Sequence, residues 1–218
     1  MQSADATQAR DPQRPARLLR AEYDALLPIL QRTAEPALDR PTVCPGWSIR
    51  DVLAHCGAAL SRVTVGDLHA FTPELNEIDV ACRRSWPLQK LLSELADGYL
   101  EAGSAIGDAG GRLDGIAFGV WLHGGDARTS LREPDAYVSD GFEDACILLA
   151  DVSRRRAVPL VEARLPGATL RLGVRVPGRP PATLACGHAT LMRLFSGRPT
   201  ERDSYNLAGA TAAELIVF

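Results

Sequence analysis

The chain has 218 residues, 46% of them hydrophobic and 23% charged, with a formal net charge of −3, the proportions of an ordinary globular protein with material for a sizeable core. That balance leaves no basic surface for nucleic acid or anionic lipid, and no apolar run reaches the ~20 residues that cross a bilayer. The start, Met1 to Gln8, is polar and lacks a signal-peptide core, so a cytoplasmic protein is expected.

Residues 1–14 show no periodicity and read as a disordered tail. A helix is expected from Pro15 through Leu18, Leu19, Tyr23, Leu26, Leu27 and Leu30, with a kink or break at Pro28. After a loop over 35–47, Ser48 and Asp51 mark a helix start. Ile49, Val52, Leu53, Cys56, Leu60 and Val63 then form one buried stripe of a helix over about 48–70, with His69 at its end. Residues 73–87 read as irregular. Leu88, Leu91, Leu92, Leu95, Tyr99 and Ile106 define a third helix, stopped by Asp108 to Gly111. A fourth, 116–131, carries His123 but also Gly119, Gly124 and Gly125, each costing ~1 kcal/mol relative to alanine. Phe142, Ala145, Cys146, Leu149 and Val152 make a fifth, closed by Arg154, Arg155 and Arg156.

After Pro159 the period changes to two. Val161 to Leu165 and Leu170 to Val176 read as strands of a hairpin around Gly167, with Thr183 to Cys186 as a third. A short helix over 189–195, closed by Ser196-Gly-Arg198, leads to a strand near Tyr205 and a terminal apolar helix. The expected architecture is α+β: a helical bundle over 15–157 followed by a small α/β C-terminal domain over 158–218.

Five cysteines, widely spaced and without a Cys-x-x-Cys, argue against a disulfide framework and a thiolate zinc site. Lys90 is the only lysine, the codon skew of a GC-rich genome such as an actinobacterial one. Two segments carry chemistry. The first runs from Cys44 to His55, Cys-Pro-Gly-Trp-Ser-Ile-Arg-Asp-Val-Leu-Ala-His, and the second from Trp121 to Arg128, Trp-Leu-His-Gly-Gly-Asp-Ala-Arg. Together they resemble the mycothiol-dependent maleylpyruvate isomerase family, within the DinB-like metalloproteins. The Gly-Arg after the short C-terminal helix matches as well. The resemblance implies a DinB-like up-and-down four-helix bundle and a divalent metal, typically zinc, held by His55 and His123. It also implies a low-molecular-weight thiol such as mycothiol, whose thiolate adds to an electrophilic small-molecule substrate in isomerisation or S-transfer.

The family's metal-binding Glu, four residues before the second His, is here Gly119. Asp126 shares a face with His123 and is the candidate third ligand, although family members carry an Asp there beside their Glu, which implies an orienting role. The catalytic candidates are therefore His55, His123 and Asp126. Two other readings stay open: a metal-free paralogue using the same cavity for another small-molecule reaction, and a non-catalytic ligand-binding module.

Overall fold

The computed structural model describes residues 10–68 and 71–218. Helix α1 (Arg14–Arg32) has a proline in its first turn and buries Leu18, Leu19, Leu26 and Leu30. Contrary to expectation, Pro28 does not break it. Pro28 and Asp24, whose carbonyl loses its partner, are both exposed, so water takes the place of the missing N–H. Helix α2 (Ile49–Val65) starts at a complete capping box and stops at Gly66, which takes the left-handed conformation at φ 73°. His69 lies outside the described residues.

The stretch read as irregular contains a helix, α3 (Pro73–Arg83). Thr72 caps it, its side chain accepting from the Leu75 amide, and a proline lies in its first turn. It escaped the periodicity argument because only Val80 is buried. Ion pairs hold it instead, Arg62 to Asp79 at 2.8 Å and Arg83 to Glu94 at 2.7 Å. Helices α4 (Leu88–Asp108), α5 (Asp114–Leu131) and α6 (Phe142–Arg155) follow. α1, α2, α4 and α5 pack on one another as the four-helix bundle.

Close approach of α1 and α4 explains two glycines. A Cβ on Gly107 would meet the Pro12 carbonyl, and one on Gly103 would overlap the Ala16 backbone. Backbone cannot swing aside as a side chain does, so Gly103→Ala is expected to destabilise by about 1–3 kcal/mol, measured by urea denaturation. Ahead of α1, residues 10–13 of the expected tail are placed. The Arg10 guanidinium binds Asp114 and the Gly107 carbonyl, each at 2.7 Å.

The C-terminal part holds strands β1 (Val161–Leu165), β2 (Ala168–Leu172), β3 (Ala182–Cys186) and β4 (Tyr205–Ala208), in the order β2-β1-β3-β4. β1 pairs antiparallel with β2 and parallel with β3, and β3 pairs antiparallel with β4. Helix α7 (His188–Phe195) follows β3, with His188 against Phe142 and Arg193 over the Tyr137 ring. The chain ends in a short 3-10 turn, Ala212–Leu215, rather than the expected helix, and then runs extended. Four residues are too few to propagate an α-helix. One apolar cluster includes Leu18, Trp121, Leu184, Phe195 and Val217, so bundle and sheet share a core. The fold is α+β.

Candidate active site

Local chemistry sets the first histidine. Asp51 Oδ2 accepts from the Ser48 amide at 3.1 Å while Ser48 Oγ accepts from the Asp51 amide at 3.2 Å, which fixes the start of α2. One turn later His55 projects from the helix, its ring 5.0 Å from that of Trp47. The preceding loop turns at Gly46, φ 81°. Thr42 Oγ1 ties it down, donating to the Trp47 carbonyl at 2.9 Å and accepting from the Cys44 amide at 3.1 Å.

The second histidine depends on the glycines that looked like liabilities in α5. A Cβ on Gly124 would collide with the Glu22 carboxylate, and one on Gly125 with the Tyr137 ring. Both glycines let buried polar groups lie against the helix, and that contact offsets their poor helix propensity. His123 thereby faces His55, with ring centroids 5.1 Å apart and planes nearly perpendicular, at 87°.

Asp126, fully buried, is the hub of the site. Its Oδ1 accepts from Tyr137 OH at 2.5 Å and Arg198 Nε at 2.6 Å. Its Oδ2 accepts from Arg198 Nη2 at 2.5 Å, His123 Nδ1 at 3.0 Å and the Cys44 thiol at 3.4 Å. Burial opposes ionisation here, but the hydrogen bonds from His123 and Arg198 and the Arg198 charge outweigh it. They hold the Asp126 carboxyl well below the usual range. An ionised carboxylate only accepts, so His123 Nδ1 carries a proton toward it, and in the neutral ring Nε2 is the nitrogen with the lone pair. Arg198 Nη2 lies 3.4 Å from His123 Nδ1. Both are then donors, so the approach is a packing contact.

Burial, reinforced by Asp126, pushes the Cys44 thiol up to about 12, so Cys44 is a donor to Asp126 and not a thiolate. Burial first, and the neighbouring His123 second, push His55 down to about 3. His55 is therefore neutral at physiological pH. The unfolded chain binds a proton at an ordinary imidazole, near 6.5, that the folded chain refuses, so stability falls as pH drops below 6.5 towards 3. Replacing His55 by Gln is expected to remove about 2 kcal/mol of the stability loss between pH 7 and pH 5, checked by urea titrations at both pH values.

A cavity of about 560 Å³ opens beside this cluster. Cys44, His55, Gly119 and His123 line it from the bundle, and Arg198 and Phe218 from the C-terminal part. Arg112 and Arg156 also face it, whereas no Asp or Glu among the described residues does. Neither Arg112 nor Arg156 has an acidic partner among the described residues.

A catalytic divalent metal needs three protein ligands and one open position. Among the described residues, the donor atoms that come within 4.8 Å of one another belong to Cys44, His123 and Asp126; His55 is not of that group. The Arg198 cation already occupies it, bound to both Asp126 oxygens. His55 and His123 share the cavity with no free carboxylate beside them, so these residues do not fit a three-ligand metal.

Sequence reasoning singles out His55, His123 and Asp126, and the structure places the two histidines in the cavity wall with Asp126 buried against His123. Arg198 enters that reading only as part of the Gly-Arg after the short helix, Cys44 only as the start of the first segment, and Tyr137 not at all. Nothing in the sequence marks Tyr137, because its contact with Gly125 is made only in the folded chain.

A sequence model of the mycothiol maleylpyruvate isomerase N-terminal domain matches residues 19–133. Among solved structures, a mycothiol-dependent maleylpyruvate isomerase is similar over 93% of this chain and 95% of its own, with a TM-score of 0.61 and 14% identity. A point mutant of a mycothiol-dependent maleylpyruvate isomerase is similar over the same shares, with a TM-score of 0.60 and 13% identity. No curated protein sequence matches. The family match spans more than half of the chain and takes in both histidines, and the solved structures share the fold from bundle to sheet, so the chain belongs to the mycothiol maleylpyruvate isomerase N-terminal domain family.

Proposed function

We propose that this protein is a small-molecule enzyme that adds a low-molecular-weight thiol, of the mycothiol class, to an anionic electrophile. The observation that carries this reading is the lining of the cavity, which among the described residues has three guanidinium groups, two imidazoles and no carboxylate, in a chain whose net charge is negative. Such a cavity concentrates anions. Family membership supports the thiol.

The chemistry follows from His123. With Nδ1 held by Asp126, Nε2 takes the proton of a bound cofactor thiol. The thiolate forms a C–S bond to the electrophilic carbon of a double bond conjugated to a carbonyl, and the π electrons move onto the carbonyl oxygen. Rotation about the former double bond followed by loss of the thiolate gives the isomer, and His123 returns its proton to sulfur. Alternatively, protonation at carbon leaves the thioether adduct. Arg198 and Tyr137 hold Asp126, and therefore the His123 tautomer. His55 presents an uncharged imidazole to the site. Arg112 and Arg156 bind the anionic end of the substrate.

The test is incubation of the full chain with mycothiol and a panel of unsaturated carboxylates and their esters, with products identified by mass spectrometry. Thiol-dependent conversion of the acids, at least about 10-fold better than of the esters and lost in an Arg112→Ala/Arg156→Ala variant through KM, supports the reading. Esters converted as well as acids, or no thiol-dependent conversion of any member, rejects it.

A further inference from the structure

His55 and His123 present two imidazoles to one cavity, 5.1 Å apart. Nδ1 of His55 is buried and has no hydrogen-bond partner among the described residues. The carboxylate bonded to His123, Asp126, is not available as a third donor. Its two oxygens accept from Tyr137, Arg198, His123 and Cys44, and extracting it would strand a guanidinium whose side chain is 10% exposed. Position 119 is different. It lies one helical turn before His123 on the same face of α5, it lines the cavity, and a Cβ built there meets only Phe218 Cε1, at an ordinary 3.8 Å. A side chain at 119 thus has room and points where the two imidazoles are.

We infer that this centre is one carboxylate short of a divalent-metal site, and that position 119 alone decides the difference. The native chain does not hold a zinc-class ion tightly. Gly119→Glu supplies the missing oxygen ligand and turns the pair of imidazoles into a His, His, Glu set, which leaves a position open for water or substrate. The space that a carboxylate would fill is available to the ligand in the native chain. This inference rests on the geometry of the two histidines and not on the thiol chemistry, and metal content is read without any turnover assay, so either can fail alone.

The experiment is dialysis of the purified full-length chain against zinc followed by metal analysis, with affinities from calorimetry. The native chain is expected to retain no stoichiometric zinc. Gly119→Glu is expected to retain one ion per chain, with a Kd tighter by at least about 100-fold, the upper end of what even residues outside the ligand set contribute. Gly119→Gln, similar in size but uncharged, is expected to stay near the native affinity. Adding His55→Ala to Gly119→Glu is expected to abolish the gain. The inference is overturned if the native chain keeps one zinc through dialysis, or if Gly119→Glu melts like the native protein and binds no more tightly. Should Gly119→Glu fail to fold, Gly119→Asp carries the same comparison.

Discussion

Replacing Arg128 by Met is expected to destabilise the fold by about 3–5 kcal/mol, the cost of leaving one partner of a buried ion pair alone. The Glu22 side chain is fully buried and that of Arg128 is 5% exposed. Their contact is bidentate, with Nη1 to Oε1 at 2.5 Å and Nη2 to Oε2 at 3.1 Å. Arg128 Nε also donates to the Ala136 carbonyl at 2.8 Å, so the pair joins α1 to α5 and to the loop after it. Burial raises the Glu22 carboxyl even with Arg128 present. Without Arg128 it rises further and takes up a proton in the folded state. A carboxyl raised on folding favours the folded state at low pH and loses that advantage as pH increases. The deficit of Arg128→Met is therefore expected to be larger at pH 8 than at pH 5, as read from urea midpoints. Adding Glu22→Gln should recover part of it, because the stranded charge is then gone.

His123→Ala is expected to lower kcat for thiol addition by about 10²–10⁴-fold, the usual contribution of a positioned general base. Its effect on stability should be small, since the ring lies at the cavity wall and not in the core. Asp126→Asn separates the two roles of the carboxylate. It withdraws the acceptor that sets the His123 tautomer, and it leaves Arg198 without its counter-ion in a largely buried place. A loss of turnover similar to that of His123→Ala, now accompanied by a lower urea midpoint, is expected. A variant at Asp126 with native kinetics would remove His123 from the chemistry proposed here.

Several elements were legible because their causes are local. Ser48 and Asp51 are three residues apart, and the cap they form needs nothing beyond them. The stripes of α1, α2 and α4 repeat with the helix period, and the alternation after Pro159 marks the sheet. Helix α3 was missed for the converse reason. Asp79 holds it to α2 and Arg83 holds it to α4, and such pairing leaves no apolar period. The glycines of α5 could be read only as a cost, since what offsets it, the Glu22 carboxylate and the Tyr137 ring, comes from elsewhere in the chain.

The sequence by itself determined where the helices with an apolar stripe and the paired strands lie, and that two imidazoles, at 55 and 123, occupy well-placed helical positions. Tertiary structure decided what surrounds them. Arg198 reaches Asp126 across 72 residues and the Cys44 thiol does so across 82. Contacts of that separation exist only once bundle and sheet have closed on a common core, and no spacing along the chain encodes them. Folding also decided that Asp126 is taken up by a guanidinium, because a buried carboxylate binds the cation that the packed chain delivers to it.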